Sequence, residues 1–152
     1  MWRNVIRTTD DKVLTLLRLA LGIVVFPHGA QKLLGWFGGF GYSGTMDFLT
    51  GTMHIPMLLA LLVIAAEFFG ALGLIAGFLG RIAAFGIAVN FTVAALMVHR
   101  PNGFFMNWSG QQKGEGVEFF ILAIAIAVAI MIRGSGGWSI DRLISRDRPA
   151  SS

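Results

Sequence analysis

With 152 residues, 55% of them hydrophobic and only 13% charged, and a mean hydropathy of +0.72, the chain carries more apolar surface than one soluble domain can hide; it reads as a membrane protein. The net charge of +4 and pI near 10.4 do not point to nucleic acid, because the basic residues flank apolar runs and act there as topology signals. The absence of cysteine excludes disulfides, thiol relays, Cys-ligated iron–sulfur clusters and thiolate zinc sites within the chain.

Four apolar segments follow in order. The first, about 13–34, has a basic start (Arg3, Arg7, Lys12) like that of an export signal. It lacks a small-residue cleavage site, so it reads as a retained helix, interrupted by Arg18 and bent or weakened at Pro27. The second, 56–79, is 24 residues long with one charge, Glu67, near its middle. That length crosses a bilayer, and a charge at such depth costs about 2.5–3.5 kcal/mol, so Glu67 must be neutral, paired or facing a cavity. The third, 81–98, contains Asn90 and follows Gly80 so closely that segments two and three form a tight antiparallel pair. The fourth, about 116–132, is rich in alanine and isoleucine and opens near Glu115 and Glu118. The expected fold is all-α: a polytopic membrane protein, a four-transmembrane-helix bundle forming a single domain over 1–146. After the glycine-rich GSGG, Ser139 is a good N-cap with Asp141 in the first turn. A short interfacial helix is expected at about 139–146, followed by a flexible tail, 147–152.

The flanks set orientation. Arg3, Arg7, Lys12, Arg81, Arg133, Arg142, Arg146 and Arg148 lie on the side of the termini, against Lys32, Arg100 and Lys113 opposite. The positive-inside rule puts both termini in the cytoplasm, in the inner or plasma membrane of a cell. The two outer connections mix glycine with aromatic residues, Trp36 and Phe37 in the first, Phe104, Phe105 and Trp108 in the second. They form either an aromatic belt at the water boundary or an inward-folded roof over an outer-facing cavity.

Buried polar groups carry any chemistry. At ~100° per residue, Arg18, His28 and Lys32 share one face of the first helix with Gly22 and Gly29. Rises of ~1.5 Å per residue within a ~30 Å core put Arg18 and Glu67 about 5 Å apart in depth, so a structural Arg18–Glu67 ion pair is expected. Asn90 suits an interhelical hydrogen bond or a ligand contact. His28, Lys32, His99 and Glu118 converge on the outer half, either as interfacial groups or around an apolar slot that would suit a quinone head group. Trp36, Phe105 and Trp108 would then pack that head group. No metal motif, nucleophile–base pair, phosphate loop or dinucleotide fingerprint is present, so no catalytic residue is assigned.

Taken together, RLALGIVVFPHGAQKL (Arg18–Leu33), Glu67 followed by Gly70 and Gly77, the NGFF segment, Glu118 and GSGGWSID resemble the DoxX family from about Leu16 to Asp141. The resemblance implies a compact four-helix membrane bundle whose motif positions here are Arg18, His28, Lys32, Glu67 and Glu118. It also implies company with quinone-linked enzymes, such as thiosulfate:quinone oxidoreductase or a terminal quinol oxidase. The expected function is that of an accessory subunit of a quinone-linked redox system, not catalytic alone. No cofactor is expected to be covalently bound, and quinone is the expected ligand. Its expected partners are membrane lipids, a soluble or membrane oxidoreductase subunit and a second copy of itself, with no nucleic acid. The alternatives are a non-catalytic membrane scaffold or assembly partner, and a small-solute transporter, for which no internal inverted repeat is evident.

Overall fold

The computed structural model describes residues 2–146; the expected flexible tail, 147–152, lies outside the described residues. Seven α-helices form among the described residues: α1 Trp2–Ile6, α2 Lys12–Leu34, α3 Gly41–Asp47, α4 Met57–Ala76, α5 Gly80–Ala94, α6 Glu118–Arg133 and α7 Ile140–Arg146. No strand occurs among the described residues. A π-turn over Ala95–His99 and a 3-10 turn over Arg100–Asn102 prolong α5. Among the described residues three stretches are long and apolar enough to cross a membrane: Lys12–Leu34, Met57–Ala76 and Gly80–Asn102. At 16 residues α6 is shorter, a rise of about 24 Å.

α2, α4, α5 and α6 share one core, built around Val25, Leu74, Ile87, Phe91, Ala127 and Ile130. Much of the apolar bulk points the other way: Leu16, Ile23, Leu58, Phe69, Phe85 and Leu122 are all exposed. In water this would be untenable; in a bilayer such side chains meet acyl chains, as the composition requires. Small residues set the helix spacing. A methyl group on Gly29 would lie 2.6 Å from the backbone of Glu67 and Phe68, and one on Gly22 would meet the Ala71 carbonyl at 3.1 Å. The two glycines are seven residues apart, on one face of α2, and they fix its register against α4. α2 runs unbroken through Pro27, which leaves only the Ile23 carbonyl without its helical donor.

That register decides how the helix ends on the side of the chain's N-terminus meet. Arg18 is level with Leu74 and Ile75, so α2 begins six residues, about 9 Å, beyond the end of α4. α4 closes in a Schellman turn, with Phe78 N–H on the Gly73 carbonyl (2.9 Å), Gly77 N–H on the Leu74 carbonyl (3.1 Å) and Gly77 left-handed at φ 66°. Arg18 completes it, donating to the carbonyls of Leu74, Ile75 (2.8 Å) and Trp138 (3.2 Å).

The other three helix ends on this side are treated alike. Asp11 caps α2 through Val13 N–H (2.9 Å) and Leu14 N–H (3.1 Å). Asp141 accepts from Leu79 N–H (2.8 Å) and Gly80 N–H (3.0 Å) at the start of α5. Arg81 donates to the carbonyls of Met131 and Ile132 (2.8 Å) at the end of α6. Each positive helix end thus receives a carboxylate and each negative end a guanidinium, the pairing that helix dipoles favour. The expected role of Asp141 at the start of an interfacial helix is therefore incomplete. Its side chain is 1% exposed, also takes a hydrogen bond from Ser135 Oγ at 2.5 Å, and belongs to the interior.

Candidate functional site

Glu67 lies ten residues into α4 and Asn90 ten residues into α5. Because these helices run antiparallel from a short turn, both sit near mid-depth. Gly29 brings α2 against this level, and Lys32, one turn further out, reaches the same carboxylate. Lys32 Nζ is 2.5 Å from Glu67 Oε2, and Asn90 Nδ2 donates to Glu67 Oε1 at 2.6 Å. One carboxylate therefore joins three helices, with each oxygen taken by a different neighbour. The Glu67 side chain is 6% exposed and that of Lys32 30%, so the cluster is closed on the glutamate side and open at the lysine. A neutral pair of this kind solves the cost of a charge at depth.

The expected Arg18–Glu67 pair is corrected by this geometry. Arg18 is buried, 1% exposed, but its hydrogen bonds go to the end of α4, seven residues from Glu67. The depth argument took the helix ends to be level; the 9 Å offset of α2 relative to α4 carries Arg18 past Glu67 and leaves Lys32 there instead.

The other expected site residues separate into three groups. His28 is exposed on α2, its ring 6.4 Å from that of Phe119 on α6, and close enough to feel the charges of Glu67 and Lys32; it stands at the rim of the cluster. His99 and Glu118 fold the second outer connection. His99 Nδ1 meets the Glu115 carbonyl at 2.9 Å and its ring lies tilted by 37° against that of Phe120, with centroids 4.2 Å apart. Glu118 accepts from Met106 N–H (2.8 Å) and Trp108 Nε1–H (2.9 Å), with Glu115 Oε2 on Asn107 N–H at 2.6 Å. Trp36, Phe105 and Trp108 are exposed, Trp108 at 86%, and the structure does not bring them to Lys32 or Glu67. Their placement is that of side chains at a water boundary.

The first outer connection nevertheless folds back. The chain turns at Gly35 (φ 75°), Gly39 packs on the backbone of Gln31 without room for a side chain, and α3 lies against α2 with Thr45 and Leu49 buried. Sequence reasoning missed α3, whose GYSGTMD has no apolar periodicity, and the capping role of Asp141. The glycines at 77 and 80, which leave room for Ser139 and Ser135, were the available signal for the latter.

A family model described as DoxX matches residues 13–100. That span includes Arg18, His28, Lys32, Glu67 and Asn90 and ends before Glu118 and the GSGGWSID segment. The inner membrane protein YqjF of Escherichia coli (strain K12) is 30% identical over 115 residues, which is 74% of this chain and 81% of that protein. No solved structure matches the chain.

Proposed function

This chain belongs to the DoxX family of membrane proteins, and from that premise we propose that its Lys32–Glu67–Asn90 cluster is a binding site for the head group of a quinone or similar small amphiphile, in an accessory subunit of a membrane redox system. The observation that carries the reading is the half-open lysine. Lys32 has three N–H donors and gives one to Glu67, leaving two for a carbonyl oxygen. Glu67 beside it holds the ammonium in place. His28 at the rim supplies a further donor or acceptor. Intramembrane ionisable groups mark functional sites by default, and a pair serving only as glue would be cheaper as two apolar side chains. Electron carriers in this reading belong to an oxidoreductase partner, and this chain presents the quinone to it.

Titrating a short-chain quinone into the purified protein should quench tryptophan fluorescence saturably. The double variant Lys32→Met/Glu67→Gln, which removes both charges together, should bind about tenfold or more weakly, the loss of one charge-assisted hydrogen bond of roughly 1.5–3 kcal/mol. Linear, unsaturable quenching in both proteins would overturn the reading.

The same proposal takes α6 as a fourth span and both termini as cytoplasmic. Its outward side is apolar at Ile121, Leu122 and Ile132, and its start is joined to the outer connection through Glu118. The wild-type chain has no cysteine, so single reporters are clean. With a membrane-impermeant maleimide on intact cells, Gln111→Cys should label, and Ser145→Cys should label only after lysis. Labelling of both, or the reverse order, would reject the topology.

A further inference from the structure

We propose that the inner end of α2 carries a site for one anionic phospholipid of the inner leaflet, separate from the Lys32–Glu67–Asn90 cluster. A cleft of about 170 Å³ opens between the first turns of α2 and the Gly136–Trp138 strap, lined by Asp10, Lys12, Thr15, Leu16, Leu19 and Trp138. Its depth matches a lipid. Met57–Ala76 rises about 30 Å, the thickness of the hydrocarbon core. Arg18 is level with the inner end of that span, so Leu19 lies just inside the apolar region and Leu16 at its edge. Lys12 lies about 9 Å beyond, at the level of head groups.

The chemistry is graded in the same direction. Thr15 at the floor is buried and shares its one hydroxyl proton between the carbonyls of Asp11 (2.9 Å) and Gly137 (2.8 Å), so the bottom offers no free donor to a polar ligand. Leu16 and, two turns on, Ile23 continue an exposed apolar stripe up the outside of α2, the path of an acyl chain. At the rim the Asp10 carboxylate is held by Arg142, whereas Lys12 has no ion-pair partner among the described residues. One positive charge is left over. The helix N-terminus contributes nothing to this, because Asp11 already takes its N–H groups.

The indole forms the remaining wall and is held there at a cost. Trp138 adopts a left-handed backbone, φ 45°, unusual for a bulky side chain, and is 84% exposed. Its carbonyl is tied to Arg18 at 3.2 Å, and Gly137 N–H is tied to the Asp11 carbonyl at 3.1 Å. A buried network thus fixes an exposed tryptophan at the membrane boundary beside a lone lysine. Indole rings favour that level, and each basic residue near an anionic surface strengthens lipid attraction.

The test uses the full chain with Trp2→Phe, Trp36→Phe and Trp108→Phe, so that Trp138 is the only emitter, in phosphatidylcholine nanodiscs. A small mole fraction of dibrominated phosphatidylglycerol should quench Trp138 about fivefold more effectively than the same fraction of dibrominated phosphatidylcholine, the preference that one basic residue gives at a membrane surface. Lys12→Gln should erase the preference, and Arg7→Gln, which removes an equal charge elsewhere on the same face, should leave it. Equal quenching by the two lipids would overturn the site, as would a preference that survives Lys12→Gln or falls equally with Arg7→Gln.

Discussion

Replacing Asp141 by alanine is expected to destabilise the folded bundle by about 3–5 kcal/mol, the range for disrupting a buried charged network. The carboxylate accepts from Leu79 N–H, Gly80 N–H and Ser135 Oγ. Each donor left dry costs about 1–3 kcal/mol. The loss reaches further, because Asp141 also balances the charge of the buried Arg18, itself bound to the end of α4. Asp141→Asn should also destabilise, though less than the alanine variant, since its one amide oxygen can replace only one of the two accepting carboxylate oxygens. The measurement is reversible unfolding in mixed micelles of increasing SDS, followed by far-UV circular dichroism. A loss below about 1 kcal/mol for the alanine variant, the level of an ordinary substitution, would show that water reaches these groups and that this end of the bundle is not sealed.

The second expected result concerns the middle of the membrane. Lys32→Met should cost about 3 kcal/mol, the low end for stranding a buried charge, because Lys32 is 30% exposed and water relieves part of the penalty. Glu67→Gln alone should cost a similar amount by stranding the ammonium. The double variant should recover most of the loss, since the amide oxygen can still accept from Asn90 and no charge is left unpaired. The coupling between the two sites, read from a double-mutant cycle in the same micelles, should exceed about 1.5 kcal/mol. Additive single costs would mean that the two side chains do not meet. Arg18→Met combined with Glu67→Gln should show no such coupling, which separates the observed partner from the one that depth alone suggests.

The apolar spans were legible because a hydrocarbon solvent imposes a simple rule of length and hydropathy. The polar face of α2 was legible too: ~100° steps put Arg18, His28 and Lys32 on one side. Which cation meets Glu67 was not, because hydropathy says where a helix begins only to within a turn or two. Register is decided by contact, here by Gly22 and Gly29 against α4. Their seven-residue spacing marks a flat face but does not name the partner. Asp141 was hidden for a different reason. Its local pattern, Ser139-Ile140-Asp141, is that of any helix start, and its donors at Leu79 and Gly80 lie 62 and 61 residues away. The aromatic residues of the outer connections fitted a belt and a roof equally well. Exposure now places Trp36, Phe105 and Trp108 at the surface, while the backbone of the first connection folds inward at Gly39.

The matching of each helix end at this side of the bundle to an opposite charge also orders events at the ribosome. Asp11 precedes α2 in the chain and Arg18 lies within it, so both are in place before α4 is made, and α4 finds its guanidinium waiting. The start of α5 has no such provision, since its carboxylate is translated some sixty residues later, after α6. Through that interval the hairpin of α4 and α5 sits in the bilayer with Leu79 and Gly80 lacking their Asp141 acceptor, and only the arrival of the GSGGWSID keystone closes the arch.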